Sequence, residues 1–138
     1  MALMQVLGIA SSALNAQSVR LNLTASNLGN ADAVSSSVGE TYRARHPVFA
    51  TVLRQVEGSA MVSSGVQAVG VIESQAVPRK EYLPEHPQAD ADGYIYRPNV
   101  NVIQEMADMI SASRSYQSNI EVINASKQML LQTLAIGQ

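Results

Sequence analysis

Residues 99–136 read NVNVIQEMADMISASRSYQSNIEVINASKQMLLQTLAI, a stretch with neither glycine nor proline. Val102, Met106, Met109, Ser113, Tyr116, Ile120, Ile123, Lys127, Leu130 and Leu134 recur in it at alternating steps of four and three. Eight of these ten are apolar, the spacing of a coiled-coil seam. Asn99 or Asn101 suits the N-cap, and Gly137 ends the run. The pattern predicts one long helix with an apolar stripe that needs a partner.

The partner lies at the other end of the chain. Leu3, Leu7, Ala10, Leu14, Gln17, Leu21, Thr24 and Leu28 repeat the same spacing, and six of these eight are apolar. A helix from residue 2 to about 30 follows, with Gly29 or Asn30 suited to a left-handed cap. Within the chain Leu7, Leu14, Leu21 and Leu28 are expected to meet Met109, Tyr116, Ile120, Ile123, Leu130 and Leu134. Heptad spacing serves parallel and antiparallel pairs alike. The C-terminal helix is longer by roughly two turns, so one end should project.

Between the helices the pattern changes. A Ser/Gly loop covers residues 34–39, and Tyr42 to Val56 reads as a strand with an edge or bulge at Pro47. Residues 58–65 read as a loop and 66–73 as a strand. Residues 78–87 hold three prolines and read as extended, residues 90–93 as a turn, and 94–96 as a short extended piece. The expected fold is mainly α with a small β region: an N-terminal helix unit (1–32), a loop and small β segment (33–98) and a C-terminal helix unit (99–138).

Composition narrows the function. Only 14% of the 138 residues are charged, the net charge is −2, and there is no Cys. A basic patch for nucleic acid, a polybasic membrane anchor and thiolate chemistry all lack their residues. No apolar run is long enough to cross a bilayer. His46 and His86 each precede a proline, with no carboxylate or serine at a motif spacing, and Asp90-Ala-Asp-Gly93 lacks the late acidic ligand of a calcium loop. No catalytic, cofactor or metal site is expected.

The missing charge is unevenly spread. Arg20 is the one charged residue before Asp32, and the outer face of the first helix carries Ser11, Ser12, Asn15, Ser18, Asn22, Ser26 and Asn27. Neutral polar groups, once hydrogen-bonded, are buried at far lower cost than charges. That face suits coverage by other chains, with Asn15, Arg20, Asn22, Asn27, Asn30, Arg114 and Asn119 as candidate inter-subunit contacts. The same seams would also serve a soluble coiled-coil adaptor or export-chaperone-like module.

Ser26-Asn-Leu-Gly-Asn-Ala31 at the end of the first helix resembles a signature of the flagellar rod and hook axial proteins. His86-Pro-Gln-Ala-Asp-Ala-Asp-Gly-Tyr94 with Pro98-Asn-Val-Asn-Val102 resembles the approach to their C-terminal helix, and Met109-Ile-Ser-Ala-Ser-Arg-Ser-Tyr-Gln-Ser-Asn-Ile120 its centre. The short chain and Tyr42-Arg-Ala-Arg45 are similar to the proximal-rod branch. Gly29, Asp32 and Thr41 depart from the usual pattern. The resemblance implies a structural subunit, not an enzyme, that polymerises through its terminal helices into a hollow tube. It implies a periplasmic rod in the basal body, reached through the flagellar type III export apparatus without a cleaved signal peptide. Implied partners are copies of itself, other rod proteins and the inner-membrane ring or export-gate adaptor at the rod base. No nucleic acid and no membrane insertion are implied.

Overall fold

Asn101 starts the long helix. Its Oδ1 accepts the Gln104 N–H at 3.3 Å, which satisfies one of the free amides of the first turn. In the computed structural model, which describes residues 2–54 and 62–136, the elements are α1 (Ala2–Gly29), β1 (Arg45–Arg54), β2 (Val62–Glu73), β3 (Arg79–Tyr82), β4 (Tyr94–Arg97) and α2 (Val102–Ile136). β1 and β2 form one antiparallel ribbon, and β3 and β4 a smaller one. A bridge between Ser35 and Tyr96 ties the loop after α1 to β4.

α1 packs along α2 on one side and on the β1–β2 ribbon on another. Asn27 of α1 touches Glu105 of α2, and Arg20 touches Asp108. Numbers on α2 rise as those on α1 fall, so the pair is antiparallel. Extending this register at equal rise pairs Leu21 with Met109, Leu14 with Tyr116 and Leu7 with Ile123. All six are half-buried, and Leu28 and Leu130 are half-buried towards opposite ends of the pair. On α1 the residues spaced from Leu3 to Leu28 are all buried or half-buried, Ala10 and Thr24 the most.

On α2 the seam is rotated from the expected one. Glu105, Ala112 and Ser126 are buried, where the apolar spacing pointed to Met106, Ser113 and Lys127. Ile120 is 38% exposed and Leu134 67% exposed, so neither joins the intrachain seam as expected. The physical reason is size. Against α1, small side chains at 112 and 126 let the backbones approach, and the larger apolar residues fall on the flank.

Other expectations are corrected in detail. Neither Gly29 nor Asn30 takes a left-handed conformation; instead Asn30 Nδ2 donates to the Ser26 carbonyl at 2.8 Å and closes the last turn. Residues 62–65 belong to β2 rather than to a loop, while 55–61 lie outside the described residues. β1 begins at Arg45, so Tyr42 lies before the strand and His46 within it. Pairing shifts after Val48 and after Val52 bend the ribbon. Of residues 78–87, only Arg79–Tyr82 is strand.

Two local devices hold the β pieces in place. Gly65 sits at φ +147°, and a Cβ there would lie 2.5 Å from Ser12 Oγ. That hydroxyl donates to the Ile9 carbonyl and accepts the Val66 N–H at 3.1 Å, which clasps the ribbon to α1. At the other ribbon Asp90 Oδ1 accepts the N–H groups of Asp92 and Tyr94, and Oδ2 accepts the Tyr96 hydroxyl. The Tyr94 amide foremost, with the Asp92 amide, the Tyr96 hydroxyl and the Lys80 charge, holds the Asp90 carboxyl below its ordinary value, against some desolvation.

Gly65→Ala is expected to lower stability by about 1–3 kcal/mol, because backbone and contact both oppose a Cβ; thermal denaturation together with amide exchange in β2 checks it. A carboxyl with a lowered folded-state pKa stabilises the fold above its unfolded value, and this is lost as pH falls through the folded one. Asp90→Ala should therefore flatten the acid limb of the stability curve below pH of about 4 and leave the neutral-pH slope unchanged, as read by denaturant titrations across pH.

Candidate subunit interfaces

The residues singled out by the sequence divide between two jobs. Asn27 does the first. It is fully buried. Its Nδ2 donates to the Arg45 carbonyl at 3.0 Å and to Glu105 Oε2 at 3.1 Å. Its Oδ1 accepts the Arg45 N–H at 2.9 Å and the Tyr42 hydroxyl at 2.8 Å. Every donor and acceptor of one amide is thereby used. The backbone of Arg45 is gripped as a neighbouring strand would grip it, and Glu105 is fixed in the first turn of α2, where the helix dipole favours a carboxylate.

Asn27 is thus corrected as a candidate inter-subunit contact: no surface of it reaches a neighbour. Arg20 is also engaged within the chain, in an ion pair with Asp108. Asn30 bonds its own helix. Asn119 donates to the Ser115 carbonyl at 2.8 Å and is half-buried. Asn15, Asn22 and Arg114 are exposed. Sequence reasoning overlooked Glu105 and Tyr42. Glu105, four residues after Asn101 and three after Val102, has the place of an ordinary first-turn acid, and only the tertiary approach of Asn27 gives it a partner.

Around this joint Ala31, Ala44 and Val100 form a small buried cluster with Tyr42 against it. A groove beside it is lined by Arg20, Thr24, His46, Phe49, Glu105 and Asp108. Within it Arg20 is paired with Asp108, and Glu105 accepts from the Asn27 amide. His86 has a local task, since its Nδ1 accepts the Gln88 N–H at 3.1 Å.

The second job belongs to what is left uncovered. Met4 and Ile9 on α1 and Ile103, Met106, Ile110, Leu131 and Leu134 on α2 are 43–81% exposed. On the ribbon Leu53, Val69 and Ile72 are 54–57% exposed. So much exposed apolar surface on a small chain marks places for other molecules. No described helix is long and apolar enough to cross a membrane, so bilayer spanning does not account for it. The paired seam is itself weak: Gln17 Oε1 is buried without a hydrogen-bond partner, and Ala10, Ala112 and Ser126 contribute little area.

Known proteins share this arrangement of sequence. Residues 7–35 match the family described as flagella basal body rod protein, and residues 91–136 match the C-terminal family of flagellar basal body rod FlgEFG proteins. The flagellar basal-body rod protein FlgC of Salmonella typhimurium is 51% identical over 139 residues, with all of both chains covered. FlgC of Escherichia coli O6:H1 is 51% identical over the full length of both chains. FlgC of Bacillus subtilis is 34% identical, with 96% of each chain covered.

Asn27→Ala is expected to cost about 2–5 kcal/mol, since it strands the Arg45 amide and a buried carboxylate. Asn27→Asp removes both donors and sets a second carboxyl beside Glu105. Its deficit should be largest at neutral pH and shrink on acidification, as one of the two carboxyls takes up a proton. Urea unfolding of both variants between pH 5 and 8 separates loss of a contact from charge repulsion.

Proposed function

The chain belongs to the FlgC family of flagellar basal-body rod proteins, and from that premise we propose how it serves there. It is a structural rod subunit and not an enzyme. Its place is the flagellar basal body, where it assembles with copies of itself or with other basal-body components. The finer reading is a subunit of the proximal rod, exported uncleaved through the flagellar type III apparatus and polymerised in the periplasm into a hollow tube. That tube encloses the export channel and transmits torque. At its base the subunit would meet the inner-membrane ring or export-gate adaptor.

The observation that carries this reading is the distribution of exposed surface on the two helices. α1 has a single charge and a neutral outer face. Among the described residues α2 is packed by one element, α1, and it shows large apolar residues on its flank. A free monomer gains nothing from such faces, because water hydrates them poorly and they add no core. Stacked in a wall, they are dehydrated at low electrostatic cost. Repetition then multiplies modest contacts into a stiff polymer. Leu7, Leu14, Leu21, Met109, Tyr116 and Ile123 are proposed to hold the pair together, and Asn15, Asn22 and Arg114 to meet neighbouring subunits.

Charging the outer face tests this. Asn15→Glu combined with Asn22→Glu should leave the helicity of the isolated chain unchanged and abolish swimming, with the chain missing from purified basal bodies. Normal motility and incorporation of the doubly charged variant would remove the basis of the reading.

A further inference from the structure

The β1–β2 ribbon has two open edges. Among the described residues α1 is the one element packed on it, and neither strand pairs with a third. Every residue from Gln67 to Glu73 is exposed. Successive strand residues point to opposite faces, so this part of β2 is open on both faces as well as along its edge. An unpaired edge presents a row of free amides and carbonyls, which proteins usually guard with charge, proline or cover. Val66 to Ile72 carry neither charge nor proline, and Val69, Val71 and Ile72 are 49–57% exposed. Such an edge suits the addition of a strand.

The charges select which strand. β1 runs from Arg45 to Arg54 with bases and no acid, and the one charge in β2 is Glu73. Within the chain Arg45 stands opposite Glu73, and its Nε donates to Oε1 at 3.3 Å. Both side chains are about half exposed. A carboxylate has acceptor sites for a second guanidinium.

We propose that the outer edge of β2 pairs with the outer edge of β1 of a second copy of this chain, antiparallel and in the register the two strands use within the chain. The inference rests on the rod reading above and adds a β contact to it. Repeated, the ribbons join into a belt of alternating β1 and β2 strands, along which Arg45 and Glu73 alternate in sign. Two β1 edges would bring only bases together. Two β2 edges meet about a two-fold axis and close at two copies, which leaves both β1 edges unpaired. The β2-to-β1 contact is heterologous, so each copy that joins offers a fresh edge. It is continuous with the side of α1 given to neighbours above. Ser12, which accepts the Val66 N–H, lies three residues before Asn15 and so beside it on the helix surface. Pro47 lacks an N–H, and Val69 has no partner in β1. The new ladder has gaps there and pairs the residues around them.

Disulfide trapping in purified basal bodies tests it, because the chain has no cysteine of its own. His46 and Ile72 stand opposite each other in the ribbon, and both are exposed. Two chains are produced together as the sole source of this subunit, one with His46→Cys and one with Ile72→Cys. No disulfide can then form within a chain. Mild oxidation is expected to join the two different chains, with positions 46 and 72 in the cross-linked peptides found by mass spectrometry. Dimers of two like chains, or no disulfide between chains present in the basal bodies, would overturn the inference and leave the rod reading standing. Absence of the unaltered chain from basal bodies would overturn the rod reading itself. Ile72 replaced by p-benzoylphenylalanine gives an independent readout. Its photo-crosslinked peptide should map to residues 45–54 of a second copy, and a cross-link to another protein or to a helix of the second copy would contradict the belt. Val71→Lys sets a charge on the open edge. It should leave the melting temperature of the isolated chain unchanged and lower incorporation several-fold; full incorporation would count against strand addition.

Discussion

One buried amide fixes the geometry on which everything else rests. Asn27 joins the end of α1, the entry to β1 and the first turn of α2 through four hydrogen bonds within 3.1 Å. An aspartate there would repel Glu105, and an apolar residue would leave the Arg45 amide without a partner. Glutamine would move the amide by a methylene in a site with no spare room. The requirement is directional: it sets α2 antiparallel to α1 at a defined register, which a strip of leucines alone does not specify. The charged pair of Arg20 and Asp108 repeats the same instruction about two turns back along α1.

From that joint the two helices diverge in role. α1 is sandwiched between α2 and the ribbon, which leaves one side free. Among the described residues α2 meets α1 along one side and presents the rest outward. The ribbon is fastened at Ser12 and Gly65, and the second ribbon by Asp90 and by the edge-to-face contact of Tyr82 with Tyr94, ring centroids 5.1 Å apart. Lys80 lies 3.8 Å above the Tyr94 ring, which adds a cation–π contact. Each β piece is held by a few specific contacts rather than by a large core, as expected where the packing area is small.

The helices were legible from the spacing of Leu3 to Leu28 and Val102 to Leu134, because long heptad runs leave few alternatives. On α1 the spaced residues from Leu3 to Leu28 are buried or half-buried. The α2 seam did not follow its spacing, and the reason is general: hydropathy ranks Met106, Ile120 and Leu134 above Ala112 and Ser126, yet close approach favours the small residues and sends the large ones outward. A helix with two strips yields a composite pattern when read as having one. Asn27 was noticed for its neutrality but assigned to a neighbour, since a tertiary pairing with residues 18 and 78 positions away leaves no local trace. The shortage of charge in α1 was the most informative feature of composition, for it described the outside of the subunit rather than its core.

The central claim is that the outward faces of α1 and α2 are exposed in the free subunit and covered in the rod. Methionine oxidation reads this directly, because Met4, Met106 and Met129 are 49–68% exposed and sit on those faces. Dilute peroxide should oxidise all three rapidly in the isolated chain, with mass spectrometry of the peptides giving the rates. In purified basal bodies the account predicts strong protection of all three. Equal oxidation rates in the free and assembled states would contradict it.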